Sequence, residues 1–127
     1  MAVIICEENR ICELVSLILE DLGFKSTPII QDELLVETVL HANPELIVWD
    51  LDSGKKLGPF QSFSQMREQN SMKQVKILFV GGPGVKKVVE PFERDTNVHF
   101  CLKPFSPARF RHEMGELFGA GYVGAGD

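Results

Sequence analysis

Leu46-Ile47-Val48-Trp49-Asp50 is the stretch whose reading decides the fold. Four apolar residues in unbroken succession, without the alternation of a half-exposed strand, predict a central parallel strand covered on both faces. The run then stops at a carboxylate. Immediately upstream, Asn43-Pro44 closes a helix predicted over Asp32–Ala42, whose apolar positions are Leu34, Leu35, Val39 and Leu40. Further back, Phe24–Ile30 predicts a strand interrupted by Pro28. A proline removes a ladder donor, which assigns that strand to a sheet edge. Ile11, Leu14, Val15, Ile18, Leu19 and Leu22 form one stripe at helical spacing over Asn9–Leu22, and Gly23 supplies the stop. Val3-Ile4-Ile5-Cys6 is a first buried strand run.

Downstream of Asp50, a glycine-bearing loop leads to a third helix from Pro59 to about Gln69. Val75–Val80 predicts a fourth strand, broken by the loop Gly81-Gly82-Pro83-Gly84. Val85, Val88, Val89 and Phe92 predict a short fourth helix, which Pro91 truncates or kinks because its ring clashes with the carbonyl four residues back. Val98–Leu102 is the fifth strand. Ser106-Pro107, an N-cap followed by a proline at the first helical position, opens a last helix with Phe110, Met114, Leu117 and Phe118 inward. Five βα units predict an α/β fold: a three-layer, doubly wound (βα)5 domain with a five-stranded parallel sheet in the order 2-1-3-4-5, strand 2 at an edge. The domain spans residues 1–118, and 119–127 is a glycine-rich tail or the start of a linker.

The composition fits a soluble globular protein of one domain, with 127 residues, 44% apolar and 24% charged. No apolar run is long enough to span a bilayer, and the start lacks the basic segment of a signal peptide. A net charge of −5 argues against general nucleic-acid binding, which needs a basic face. Cys6, Cys12 and Cys101 are an odd count without metal-type spacing and are read as buried free thiols in a reducing compartment. The expectation is a soluble cytoplasmic protein.

In a doubly wound sheet the chemistry lies at the carboxyl ends of the strands. Glu7-Glu8, Asp50 and Asp52, Gly81-Gly82, and Lys103-Pro104 stand there. Carboxylates converging on one rim are costly unless a cation joins them. Oxygen ligands of this kind suit Mg²⁺, which binds through a few carboxylates and keeps most of its waters. A carboxylate beside a metal and a lysine can also attack a phosphoryl group, the cations offsetting charge on the transferred group.

This arrangement resembles the response-regulator receiver family, whose flavodoxin-like fold has the same strand order. Receivers carry an acidic pair after strand 1, a phosphoacceptor Asp after strand 3, a Thr or Ser after strand 4, an aromatic switch on strand 5 and a Lys-Pro after it. Here Glu7-Glu8, Asp50, Gly81, Phe100 and Lys103-Pro104-Phe105 stand at those points. The intervals are 42 residues from Glu8 to Asp50, 31 to Gly81 and 22 more to Lys103. The match covers residues 2–118. The resemblance implies a bacterial two-component signalling domain, not an enzyme beyond its own phosphorylation and dephosphorylation. Asp50 would be the phosphoacceptor and Lys103 would contact the acyl phosphate. Mg²⁺ would sit against Glu7, Glu8, Asp50 and the backbone carbonyl of Asp52, and Gly81 and Phe100 would hold the switch positions. A cis Lys103–Pro104 bond is also implied. Implied partners are a sensor histidine kinase or phosphotransfer protein, and a second copy or an output domain on the face of helix 4, strand 5 and helix 5; no nucleic acid and no membrane are implied for this domain.

The departures define the alternative. Both acidic residues are Glu, one methylene longer than Asp, which weakens the hold on Mg²⁺. Gly81 lacks the hydroxyl, and Ser53-Gly54 replaces the Met-Pro that follows the acceptor. The second reading is thus a pseudo-receiver that is not phosphorylated and acts as a docking module. A flavin- or nucleotide-binding protein fits poorly. Gly119-Ala-Gly121-Tyr-Val-Gly124 follows a helix rather than a strand, and Gly81-Gly82-Pro83-Gly84 lacks the Lys-Ser/Thr of a phosphate loop. His41, His99 and His112 have no ligand spacing and are expected at the surface or its boundary.

Overall fold

The computed structural model describes residues 1–6, 9–29, 35–51, 64–69 and 72–119. In chain order the elements are β1 (Ala2–Ile5), α1 (Asn9–Asp21), β2 (Ser26–Ile29), α2 (Leu35–Ala42) and β3 (Leu46–Asp50). Residues 64–68 lie in a helix, α3. Then come β4 (Lys76–Gly81), α4 (Pro83–Val89), a 3₁₀ turn over Glu90–Arg94, β5 (Val98–Leu102) and α5 (Pro107–Phe118). The five strands are parallel and ordered β2-β1-β3-β4-β5, the predicted topology.

Side-chain alternation along the strands divides the core in two. Ile5, Ile47, Trp49, Ile77, Phe79 and Phe100 pack on one face, where Val39 of α2, Met66 of α3 and Val89 of α4 cover them. Ile4, Cys6, Val48, Val80 and Cys101 pack on the other, beneath Val15 and Ile18 of α1 and Phe110 and Met114 of α5. All residues of β1 and β3 are buried, as the unbroken apolar runs require. Among the described residues no helix is long and apolar enough to cross a membrane.

Several boundaries differ from the sequence reading for identifiable reasons. The second strand starts at Ser26 rather than Phe24, because Phe24 belongs to the end of α1. Its N–H donates to the Leu19 carbonyl at 2.8 Å, the Gly23 N–H donates to Glu20 at 3.0 Å, and Gly23 has φ +91°. This pair of bonds is a Schellman closure, and Phe24 and Leu19 complete it by packing in the same core. The Gly81–Gly84 segment, expected as a loop, is mostly regular. Gly81 ends β4, Gly82 is the N-cap of α4, and Pro83 takes the first helical position, where its missing N–H has no intrahelical role. Pro91 acts as expected: α4 stops at Val89 and tightens into the 3₁₀ turn. Ser106 caps α5, its Oγ accepting from the Arg109 N–H at 3.1 Å. The predicted starts of α2 at Asp32 and α3 at Pro59, and the tail from Ala120, lie outside the described residues.

Candidate functional site

Asp50 closes the central strand and is 2% exposed, the buried charged residue of a core that is otherwise apolar among the described residues. A carboxylate there needs compensation, since burying an unpaired charge is strongly unfavourable. Lys103 supplies it: Nζ donates to Asp50 Oδ1 at 2.8 Å. The lysine is 53 residues away in sequence and two strands away in the sheet. Its backbone is fixed by continuation of the β4–β5 ladder, the Lys103 N–H donating to the Gly81 carbonyl at 2.8 Å. From there the side chain spans the end of β4 to reach the end of β3. Neighbouring strands lie about 4.8 Å apart, so the crossing suits the longest aliphatic stem among cationic side chains with a compact head. The Lys103–Pro104 peptide bond is cis.

The rim continues on the other side of Asp50. The β1–β3 register ends with Ile5 beside Trp49, so Cys6 and Asp50 follow as the next laterally adjacent positions. The Leu51 N–H donates to the Val80 carbonyl at 2.9 Å, which holds the chain parallel to β4 for one residue beyond Asp50. Gly81 is buried at the end of β4, between the strands that bear Asp50 and Lys103. Phe100 is directed into the face that holds Trp49 and Phe79, with only its margin at the surface.

Of the sequence-predicted site residues, the structure thus unites Asp50 and Lys103 directly and sets Gly81 between their strands. Phe100 stands one strand further out, on the opposite face from Cys101. Glu7, Glu8 and Asp52 lie outside the described residues. Asp50 is therefore the single described member of the expected Mg²⁺ ligand set, and among the described residues no three His, Cys, Asp or Glu side chains converge on a cation position.

One feature of this rim was read wrongly from the sequence. Cys6 and Cys12 are not free thiols but are joined in a disulfide, with Cα atoms 6.4 Å apart. That separation falls within the range of about 4.4–6.8 Å that a disulfide spans. Cys101 alone is free, buried in β5. A strand end followed by the first turn of a helix brings residues six apart back together, a proximity that an odd cysteine count conceals. The histidines fall where expected, with His41 and His112 exposed and His99 half-buried.

No family model matches the chain, and no curated protein matches it. Solved structures do. The chemotaxis response regulator CheY4 of Vibrio cholerae superposes with a TM-score of 0.77 at 16% identity, over 91% of this chain and 96% of that one. A response regulator receiver domain protein of Clostridium thermocellum gives 0.73 at 10% identity, over 97% and 93%. The fold is that of a response-regulator receiver domain. The receiver domain of the sensor histidine kinase PA1611 of Pseudomonas aeruginosa, solved with magnesium coordinated in its active site cleft, gives 0.70 at 16% identity, over 97% of each chain. At these identities the likeness is one of fold. Within the receiver fold, the carboxyl rim of the sheet is where Asp50 and Lys103 meet.

Proposed function

We propose that this chain is a phosphoacceptor receiver in two-component signalling, phosphorylated on Asp50. The observation that carries the reading is the buried Asp50–Lys103 pair at the carboxyl rim of a receiver fold. In the reaction, an Asp50 carboxylate oxygen forms a bond to phosphorus as the bond from phosphorus to the donor's imidazole nitrogen breaks. The imidazole leaves with the electron pair and takes a proton from solvent. Lys103 stays protonated and moves its hydrogen bonds from the carboxylate to the phosphoryl oxygens, which carry the greater negative charge. Glu7, Glu8, Asp50 and the Asp52 carbonyl would hold Mg²⁺, whose role is to offset phosphoryl charge during transfer. The donor is a sensor histidine kinase or phosphotransfer protein, and the domain works in the cytoplasm of a bacterium as a signalling component rather than an enzyme on a separate substrate.

Trp49 offers the test, because it is fully buried and adjoins Asp50 in sequence. Mg²⁺ followed by beryllofluoride should change its fluorescence, and acetyl phosphate with Mg²⁺ should add one phosphoryl group to the intact mass. Asp50→Asn should abolish both the beryllofluoride response and the mass gain. A wild-type chain that shows neither defeats the phosphoacceptor reading.

Gly81 and the paired glutamates favour a second reading. Without a side-chain hydroxyl after β4, phosphorylation has less to pull on, and a pseudo-receiver would use the same fold for docking alone. Its surface would be α4, β5 and α5, where Val88 and Leu102 are exposed, taking a second copy or an output domain. The acetyl phosphate experiment separates the two.

A further inference from the structure

An exposed apolar side chain that stands singly on a protein surface is ordinary. Leu17 does not stand singly. It is 65% exposed on α1, and with Leu14 and Ile18 of the same helix and Pro107 of α5 it lines an open cleft of about 700 Å³ between the two helices. An ion pair between Asp21 and Arg111 bridges α1 and α5 along this cleft. The residues one helical turn from Leu17 set the local charge. Glu13 and Glu20 are both exposed, and Glu20 belongs to the cleft wall. Asp21 is a third carboxylate, which Arg111 offsets. The cleft is therefore apolar within and acidic at its edge.

The opposite layer of the domain carries the counterpart. Val88 is 45% exposed on α4. Gly84, one turn earlier, has no side chain, and a Cβ added to it would meet nothing within 4 Å. Val88 thus stands above a bare stretch of helix. Lys87 precedes it and is exposed, and the positions one turn away on either side, Gly84, Val85, Pro91 and Phe92, include no carboxylate. This ridge is apolar, convex and basic where the cleft is apolar, concave and acidic.

We propose that the α1–α5 cleft receives the α4 ridge of a second copy of this chain, so that the domain assembles head to tail. The two patches lie on opposite layers, since α1 and α5 cover one face of the sheet and α4 the other, and one copy cannot fill its own cleft. Val88 enters between Leu17 and Pro107, and the Lys87 ammonium meets Glu20 at the edge. Such a contact joins two different surfaces and leaves a free cleft at one end and a free ridge at the other. Further copies can then add, or a ring can close. Whole copies repel one another through a net charge of −5, and the contact is small. Association is accordingly weak, half-complete at about 0.1–0.5 mM. Asp50 takes no part, so self-assembly stands or falls apart from phosphorylation.

Sedimentation velocity on the full chain, with no phosphoryl donor present, tests this. The weight-average mass should more than double between about 0.02 and 1 mM. Leu17→Gln and Val88→Gln, both at exposed positions, should each hold the mass at the monomer value with an unchanged circular dichroism spectrum. An equimolar mixture of the two variants still offers one intact cleft and one intact ridge. Its mass should rise toward about twice the monomer's and go no further. Glu20→Lys or Lys87→Glu alone should weaken association about threefold, and the two together should restore it. A wild-type mass that stays constant across the range overturns the proposal and leaves the cleft to a different partner. Loss of association in Val88→Gln with Leu17→Gln unaffected also overturns it, because that result means a symmetric contact through α4. A mixture that stays monomeric, or that grows past the dimer, does the same.

Discussion

A carboxylate that is 2% exposed and a lysine 2.8 Å away define the chemistry of this rim more than any other pair among the described residues. Their coupling can be measured by substituting each residue alone and both together. Lys103→Met removes the ammonium that faces the buried Asp50 carboxylate and should cost roughly 3 kcal/mol in urea unfolding, because the charge that remains buried is less well compensated. Asp50→Asn should cost less, since the lysine side chain is 19% exposed and water can reach its ammonium. The double variant should be more stable than the sum of the single losses predicts, by about 1–3 kcal/mol. Additive losses would mean that the two side chains do not depend on each other. A second residue-scale expectation concerns Cys101. Burial first, then Glu113, pushes its thiol from 9.0 up to about 11, with Arg109 pulling the other way. The folded state therefore keeps this proton at a pH where the unfolded chain has released it. The corresponding stability is complete below pH 9.0 and is lost as the pH rises toward 11. The loss is on the order of 2 kcal/mol. Cys101→Val should flatten the alkaline fall in the urea midpoint by that amount, and an unchanged slope would contradict the assignment.

Elements show where local sequence was decisive and where it was not. The end of α1 was legible from Gly23, since a residue at φ +91° with nothing within 4 Å of an added Cβ is a backbone requirement rather than a packing one. Gly23→Ala should therefore destabilise by about 1 kcal/mol through backbone strain alone, with no cavity or clash, and thermal unfolding would show it. The start of β2 was not legible, because Phe24 reads as an apolar strand residue until the Schellman closure claims it. The start of α5 was read correctly at Ser106-Pro107, where a capping oxygen and a residue lacking an N–H leave little choice. In the site, Asp50 and Lys103 could be found because each is the polar residue at which an apolar strand stops. The bond between Cys6 and Cys12 could not be found, because it depends on the path taken between β1 and α1 and not on any periodicity.

At the level of the whole molecule, strand order was readable because β1 and β3 are buried on both faces while β2 carries a proline. Parallel sheets covered on both sides write themselves as unbroken apolar runs, and edges write themselves as exceptions. The pairing of β1 with β2 gives that proline a further meaning. Ala2 donates to the Lys25 carbonyl and Cys6 to the Ile29 carbonyl, so the odd-numbered residues of β2 turn their amides and carbonyls toward β1. Pro28 belongs to the alternate set and presents its nitrogen outward, along the open side of the sheet. Nothing in the domain's own ladder loses a donor. What is lost is a place for another molecule's strand to attach. Pro28→Val should leave the unfolding midpoint almost unchanged yet make the protein self-associate with rising concentration, visible in light scattering, whereas a monodisperse variant would refute this. A substitution that improves strand propensity would thus worsen behaviour in solution: Pro28 governs the colloidal life of the domain, and its cost to the fold is nearly nil.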